Sequence, residues 1–291
     1  MYLVIDVGGT YTKYGYYNKE GHCFENGQFE TIKTNRMAFY ESLEKLVQQN
    51  TKGIALSMPG ILNAQTGEML AVTLLPFLNH HNIKEELQER TKLPVSIQND
   101  AKCAALGEMW QGSLQNMSNA FMLVFGSGIG GTIIMNGELV DSPRHKAGEV
   151  GCLLAPETLD YSSVYNISKS DSGVALIRDL SQAIGCEPDG QIVFQKLFDH
   201  QEARQIFQAF CRRIAMLIYN LDYLFDLDAV SIGGGISAQE ILISTIQEEF
   251  QKMRDLHQED DHQPIIQACT FLNGANLLGA LHHYLKTIEK S

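Results

Sequence analysis

The sequence predicts an α/β protein built in two lobes. Three observations carry this: strands alternate with helices along the chain, a strand, glycine turn and second strand occur both at the start and near residue 123, and a polar stretch, Gly112 to Asn119 (GSLQNMSN), lies between. Such alternation favours a largely parallel sheet whose ligands gather at the carboxyl ends of the strands. The predicted lobes are residues 1–117 and 118–291.

The first lobe opens with Leu3-Val4-Ile5-Asp6-Val7, an apolar strand running into Gly8-Gly9-Thr10. Lys13 to Tyr17 reads as the returning strand and Asn18 to Gly21 as a turn. Met37 to Gln49 has helical spacing through Phe39, Leu43, Leu46 and Val47. Gly53 to Ser57 is a buried strand that ends at Met58-Pro59-Gly60. A helix over Ile83 to Thr91 precedes a strand at Leu93 to Ile97, which ends at Gln98-Asn99-Asp100 before a helix from Ala101 to about Gln111.

The second lobe repeats the opening. Leu123-Val124-Phe125 runs into GSGIGGT, so both lobes carry Gly-Gly-Thr ahead of an extended segment, the mark of an internal duplication. Gly126, Gly128 and Gly131 satisfy the dinucleotide fingerprint G-x-G-x-x-G, but that pattern needs a helix after the glycines to receive a pyrophosphate. Here β-branched Thr132-Ile133-Ile134 and the hairpin signal Asn136-Gly137 follow. The glycines therefore join two strands. Helices are predicted at Gly173 to Ile184 and Glu202 to Leu224, a strand at Asp228 to Ile232, and a tight turn at Gly233-Gly234-Gly235. Ser237-Ala238-Gln239-Glu240 reads as a capping box opening a helix. Ile265 to Phe271 is the last strand, and a final helix (Ala275 to Leu285, extending to about 287) is expected to pack back on the first lobe.

A net charge of −12 argues against nucleic acid or an acidic membrane surface as partner. A small anion remains compatible, because backbone amides hold phosphate without side-chain charge. No apolar run is long enough to span a membrane, so a cytoplasmic protein is expected. The six cysteines form no C-x-x-C pair and read as reduced core residues. The pairs His80-His81 and His282-His283 point in divergent directions and make poor joint metal ligands.

Three glycine turns at strand ends favour a bound nucleotide, since glycine lets backbone N–H groups approach phosphate oxygens. No G-x-x-x-x-G-K-[ST] occurs, which excludes a P-loop. Asp100 suits either a catalytic acid-base role or a helix N-cap. Asp6 suits either Mg²⁺ binding or a structural turn, and Glu149, between glycines, suits either a ligand contact or a solvated loop.

At DVGGTYTK (6–13), SMPGILNAQTG (57–67), LPVSIQNDAKCAALGE (93–108), FGSGIGGTIIMNGELV (125–140), AGEVG (147–151) and SIGGGIS (231–237) the chain resembles the ROK sugar kinases. The resemblance implies a two-lobed actin-like, ribonuclease H-like ATPase fold with duplicated lobes around a central cleft, in which the γ-phosphoryl group of MgATP passes to a sugar hydroxyl, usually on C6. It implies Asp100 as general base, with Asn99, Glu149, Pro59 and Gly60 at the sugar. Gly8, Gly9, Thr10 and Lys13 would face the phosphates, as would Gly128, Gly130, Gly131 and Thr132. Gly233, Gly234 and Gly235 would lie beside the adenosine, and Asp6 would reach Mg²⁺ through water. A homodimer is usual in the family.

The departures are informative. Cys152 stands where the family commonly has a zinc-binding histidine, and no cysteine occurs between Leu153 and Gly173, where the rest of its zinc cluster would lie. Zinc is therefore expected to be absent, as is the glutamate that follows the last zinc cysteine. This pattern is most similar to the zinc-free β-glucoside kinases, which act on disaccharides such as cellobiose; glucokinase, N-acetylmannosamine kinase and fructokinase specificities are the alternatives. Repressors of the family carry a DNA-binding segment before the kinase-like body, whereas this chain starts at the first phosphate strand. A non-catalytic sugar sensor is the remaining rival.

Overall fold

The computed structural model describes residues 1–154, 166–259, 262–271 and 274–289. Two compact units emerge. The first comprises Met1–Gly112, Asp141–Lys146 and Gly274–Ser291, and the second Ser113–Val140 and Ala147–Asn273.

In the first unit, β1 (Tyr2–Val7), β2 (Tyr11–Tyr17), β3 (Cys23–Glu30), β4 (Ile54–Met58) and β7 (Val95–Asn99) form one sheet in the order β3-β2-β1-β4-β7. The short strands β5 (Ile61–Leu62) and β6 (Met69–Ala71) pair separately. All of β1 is buried, as its apolar run Tyr2–Ile5 requires of a strand covered on both faces, with Asp6 the buried exception near its end. Helices α1 (Arg36–Glu44), α2 (Ile83–Thr91), α3 (Asp100–Gln111) and, from the far end of the chain, α9 (Ala275–Tyr284) complete the unit. A Cβ on Gly279 of α9 would lie 1.6 Å from the Cys103 carbonyl oxygen of α3, so only glycine permits this backbone-to-backbone packing. Helix α1 is shorter than its apolar spacing predicts. The Leu46 carbonyl accepts the Tyr16 hydroxyl (2.6 Å), and the chain leaves the helix there while still burying part of Leu46 and Val47.

In the second unit, β8 (Ala120–Phe125), β9 (Ile129–Met135), β10 (Glu138–Leu139), β11 (Ala229–Gly234) and β12 (Ile265–Ala268) adopt the order β10-β9-β8-β11-β12. Helices α4 (Ile167–Asp171), α5 (Gly173–Ile184), α6 (Gly190–Lys196), α7 (Gln201–Phe225) and α8 (Glu240–His257) bury a separate core against it. In both sheets the third, second, first, fourth and fifth strands lie side by side in that order, with the first pair antiparallel and the later strands parallel. The duplication is thus one of topology.

It differs in register from the duplication the sequence suggests. Gly8 and Gly9 lie in the turn between β1 and β2, whereas Gly130, Gly131 and Thr132 lie inside β9, opposite Val124, Leu123 and Met122. The positional counterpart of the first turn is Gly126-Ser127-Gly128. The predicted capping box also fails to form: Ser237 Oγ donates to the Gly234 carbonyl (2.8 Å), residues Gly235–Ala238 make a 3₁₀ turn, and α8 starts at Glu240 with Gln239 as an N-cap lacking a side-chain bond. The last strand stops at Ala268, where the Cys269 amide makes the final bond to Ile232. Of the cysteines, Cys103, Cys211 and Cys269 are core residues, while Cys152 is exposed.

Candidate active site

At the carboxyl end of β1, Asp6 is buried and accepts hydrogen bonds at Oδ1 from Ser57 Oγ (2.6 Å) and Asn276 Nδ2 (3.0 Å). Lys13 faces it across the β1–β2 pair. Burial pushes the Asp6 carboxyl up, against the opposing pull of Ser57, Asn276 and the Lys13 charge. Immediately beyond, the Gly8 amide donates to the Tyr11 carbonyl (3.0 Å) and Thr31 Oγ1 donates to the Gly8 carbonyl (2.7 Å). These bonds hold the turn from behind and leave Gly9 and Thr10 exposed.

Strand β7 delivers Asn99 and Asp100 to the start of α3. Asn99 is the N-cap: its Oδ1 accepts the Lys102 amide (3.1 Å). Its Nδ2 donates both to the Gly60 carbonyl (2.9 Å) and to Asp100 Oδ1 (3.0 Å). Gly60 itself has φ +93°, and a Cβ there would meet the Ala71 carbonyl at 2.4 Å, so the turn after Pro59 demands glycine. Gly60, Asn99 and Asp100 are therefore assembled by direct contact. The alternative reading of Asp100 as the helix cap is met by its neighbour instead.

In the second unit the Gly126 amide donates to the Gly128 carbonyl (2.9 Å), closing the turn after β8. Ser168 Oγ accepts the Ile129 amide (2.9 Å) and braces the turn from α4. A pocket of about 680 Å³ opens beside it, reaching from Phe125 and Gly126 past the first turns of α5 and α6 to Gly235 and Ile236. That volume lies in the range of small-molecule sites. Gly234 has φ +97°, and a Cβ on it would sit 2.0 Å from the Phe125 carbonyl oxygen, so β11 and β8 approach at this point only because the residue is glycine.

Gly131 and Thr132 have a different setting. A Cβ on Gly131 would lie 2.3 Å from the Gly148 carbonyl oxygen, and Thr132 is buried. Gly148 and Gly151 pack the 147–151 loop against β9 in the same way. These glycines dock the segment carrying Glu149, which belongs to the second unit. Among the described residues, no cluster of three or more His, Cys, Asp or Glu is placed to hold a metal. The expected gap in the zinc-binding segment falls largely on residues 155–165, outside the described residues.

The ROK family profile matches residues 2–286. The chain belongs to the ROK family. Over 291 residues it is 32% identical to a β-glucoside kinase of Listeria innocua, covering 97% of this chain and 96% of that protein. A ROK family protein of Streptococcus pneumoniae, solved in complex with sucrose, superposes with a TM-score of 0.89 at 28% identity over 99% of this chain and all of the other. A ROK glucokinase of Streptomyces griseus, in complex with glucose and AMPPNP, shares the fold at 22% identity and a TM-score of 0.80, covering 96% and 97% of the two chains. The duplicated sheets are those of the actin-like fold.

Sequence reasoning missed several residues of this ROK chain's candidate site. Ser57 and Asn276, which fix Asp6, lie 51 and 270 positions from it and belong to no glycine motif. Thr31, behind the first turn, carries no local signal either. The pocket walls Val174, Ile177 and Pro188 were also missed. No local signal marked them: Val174 is 61% exposed, and that exposure is visible only in the tertiary structure.

Proposed function

We propose that this ROK-family kinase transfers the γ-phosphoryl group of ATP to the 6-hydroxyl of a β-glucoside disaccharide or a hexose, with Asp100 as general base. The observation that carries the reading is the Asn99–Asp100 pair. Asn99 takes over helix capping and pins the Asp100 carboxylate through Nδ2, so Asp100 is oriented without itself being the cap. Asp100 accepts the proton of the sugar hydroxyl as that oxygen attacks phosphorus, a step that needs a well-placed carboxylate. Asn99 and Glu149 hydrogen-bond sugar hydroxyls, and the Pro59-Gly60 turn lines the same pocket.

The turn at Gly8, Gly9 and Thr10, with Lys13 beside it, binds phosphate oxygens from the first unit. Gly128, Gly130, Gly131 and Thr132 do so from the second, and Gly233, Gly234 and Gly235 lie beside the adenosine. Asp6 is a single hard carboxylate with Oδ1 already engaged by Ser57 and Asn276. That donor set fits Mg²⁺, which keeps most of its waters and takes one or two carboxylates plus substrate phosphates. When bound, the ion neutralises charge on the β- and γ-phosphates. The family resemblance further leads us to propose a cytoplasmic homodimer without zinc, acting on small molecules and not on nucleic acid.

The similarity to a β-glucoside kinase supports the disaccharide acceptor. The test is a coupled assay of ADP release across cellobiose, gentiobiose, glucose, mannose, fructose and N-acetylmannosamine. A higher kcat/KM for the β-linked disaccharides is expected. Equal turnover of glucose removes the disaccharide assignment, and sugar binding without ADP release removes the kinase assignment in favour of a sensor.

A further inference from the structure

We propose that the pocket of the second unit selects its nucleotide by apolar shape, so that GTP and ITP serve as phosphoryl donors nearly as well as ATP. The inference rests on the kinase reading above, which brings a nucleoside triphosphate to this chain. The side chains of Phe125, Val174, Ile177, Pro188 and Ile236 line the pocket and carry no polar atom, and glycines supply much of the remaining surface. Among the described lining residues the charged one is Arg178, whose side chain is 63% exposed and whose Nε donates to Asp179 (2.8 Å). A guanidinium in that setting offers any base a planar cationic contact and favours none strongly.

Several backbone N–H groups bordering the pocket are already engaged. At the start of α5, the Val174 amide donates to the Gly126 carbonyl (3.2 Å) and the Ala175 amide to Ser172 Oγ (3.1 Å). At the start of α6, the Gln191 and Ile192 amides both donate to Asp189 Oδ1 (2.8 and 3.0 Å). The Gly126 amide closes its own turn on Gly128.

Adenine and guanine differ in the donor and acceptor pattern of one ring edge. A site separates them by large factors only when buried polar groups are left unpaired by the wrong base, whereas apolar pockets discriminate by roughly 10- to 200-fold even between ligands of different bulk. Two purines of near-equal bulk fall at or below the bottom of that range.

The test measures kcat/KM for ATP, GTP and ITP at saturating sugar, with calorimetric dissociation constants for AMPPNP and GMPPNP. Values for the purine donors are expected to agree within about tenfold. A wider preference for ATP overturns the inference. A second arm uses Gly190→Leu: a Cβ at Gly190 faces Ile177 Cδ1 at 3.7 Å, so the leucine enters the pocket. Nucleotide KM should rise by about tenfold or more for all purines by a common factor, with sugar KM within about twofold of the parent. An unchanged nucleotide KM overturns the placement of the base. Matched AMPPNP and GMPPNP affinities without turnover of any sugar uphold shape selection and sink the kinase reading, so the two failures are distinguishable.

Discussion

Asn99 caps helix α3 through its Oδ1 and, through its Nδ2, holds Asp100 Oδ1 at 3.0 Å. One side chain thus caps the helix and contacts the carboxylate beside it. Asp100 Oδ1 also accepts the Ala101 amide (2.8 Å), a bond that an asparagine at this position can keep, so the charge of Asp100 can be removed without losing that contact.

Asp100→Asn is expected to lower kcat by at least about 10²-fold, in line with loss of a general base, while leaving the unfolding midpoint nearly unchanged. Asn99→Ala should instead cost about 1 kcal/mol of stability through the lost cap and raise sugar KM. Steady-state kinetics and urea denaturation on the same preparations separate the two. Near-normal turnover of Asp100→Asn would demote that residue.

Two glycines of the 126–131 segment should respond differently to alanine. Gly131→Ala drives a methyl group into the Gly148 carbonyl and is expected to lose about 1–3 kcal/mol as an overpacked site. At Gly126 no atom of the described residues lies within 4 Å of the new Cβ, so the fold should persist while nucleotide KM rises. Thermal melts paired with ATP titrations check this, and equal stability losses would refute the distinction.

Burial raises the Asp6 carboxyl above its unfolded value. A carboxyl shifted in that direction favours the folded state below its unfolded pKa, and this contribution is lost as pH rises through the folded pKa. Asp6→Asn retains an acceptor for Ser57 and Asn276 but removes the buried charge. Its melting temperature relative to wild type should climb between pH 4 and pH 8, while kcat falls. A difference that stays flat with pH would show that the Asp6 charge carries no folding cost.

Chelation offers a check on metal use. Exhaustive dialysis against a zinc-selective chelator is expected to leave activity intact, and elemental analysis should find far less than one zinc per chain. Removal of Mg²⁺ with EDTA should abolish turnover, with recovery on adding Mg²⁺ back. Stoichiometric zinc would mean that the Cys152 substitution had been misread.

Much of the fold was legible because local signals agreed with tertiary demands. Helices α2 and α5 have the limits their patterns predict, since Asn82 and Ser172 cap their starts and Lys92 and Gly185 end them in left-handed conformation. The Ser237 capping box was misleading because the same hydroxyl is a donor as well as an acceptor. Its use on the Gly234 carbonyl follows from the glycine turn beneath it, which no local pattern encodes.

The sequence by itself determined the alternation of strands and helices, the repeated strand, turn and strand, and the contiguous pair Asn99-Asp100. Each of these depends on neighbours within a few residues, where side-chain periodicity and backbone preference act. Only the tertiary structure decided which glycines are turns and which are packing contacts, because Gly131 and Gly126 look alike until Gly148 is laid against one of them. The partners of Asp6 were decided in the same way: Ser57 and Asn276 become its neighbours only when β4 and α9 pack beside β1. Burial then shifts its carboxyl in a direction that sequence distance cannot reveal.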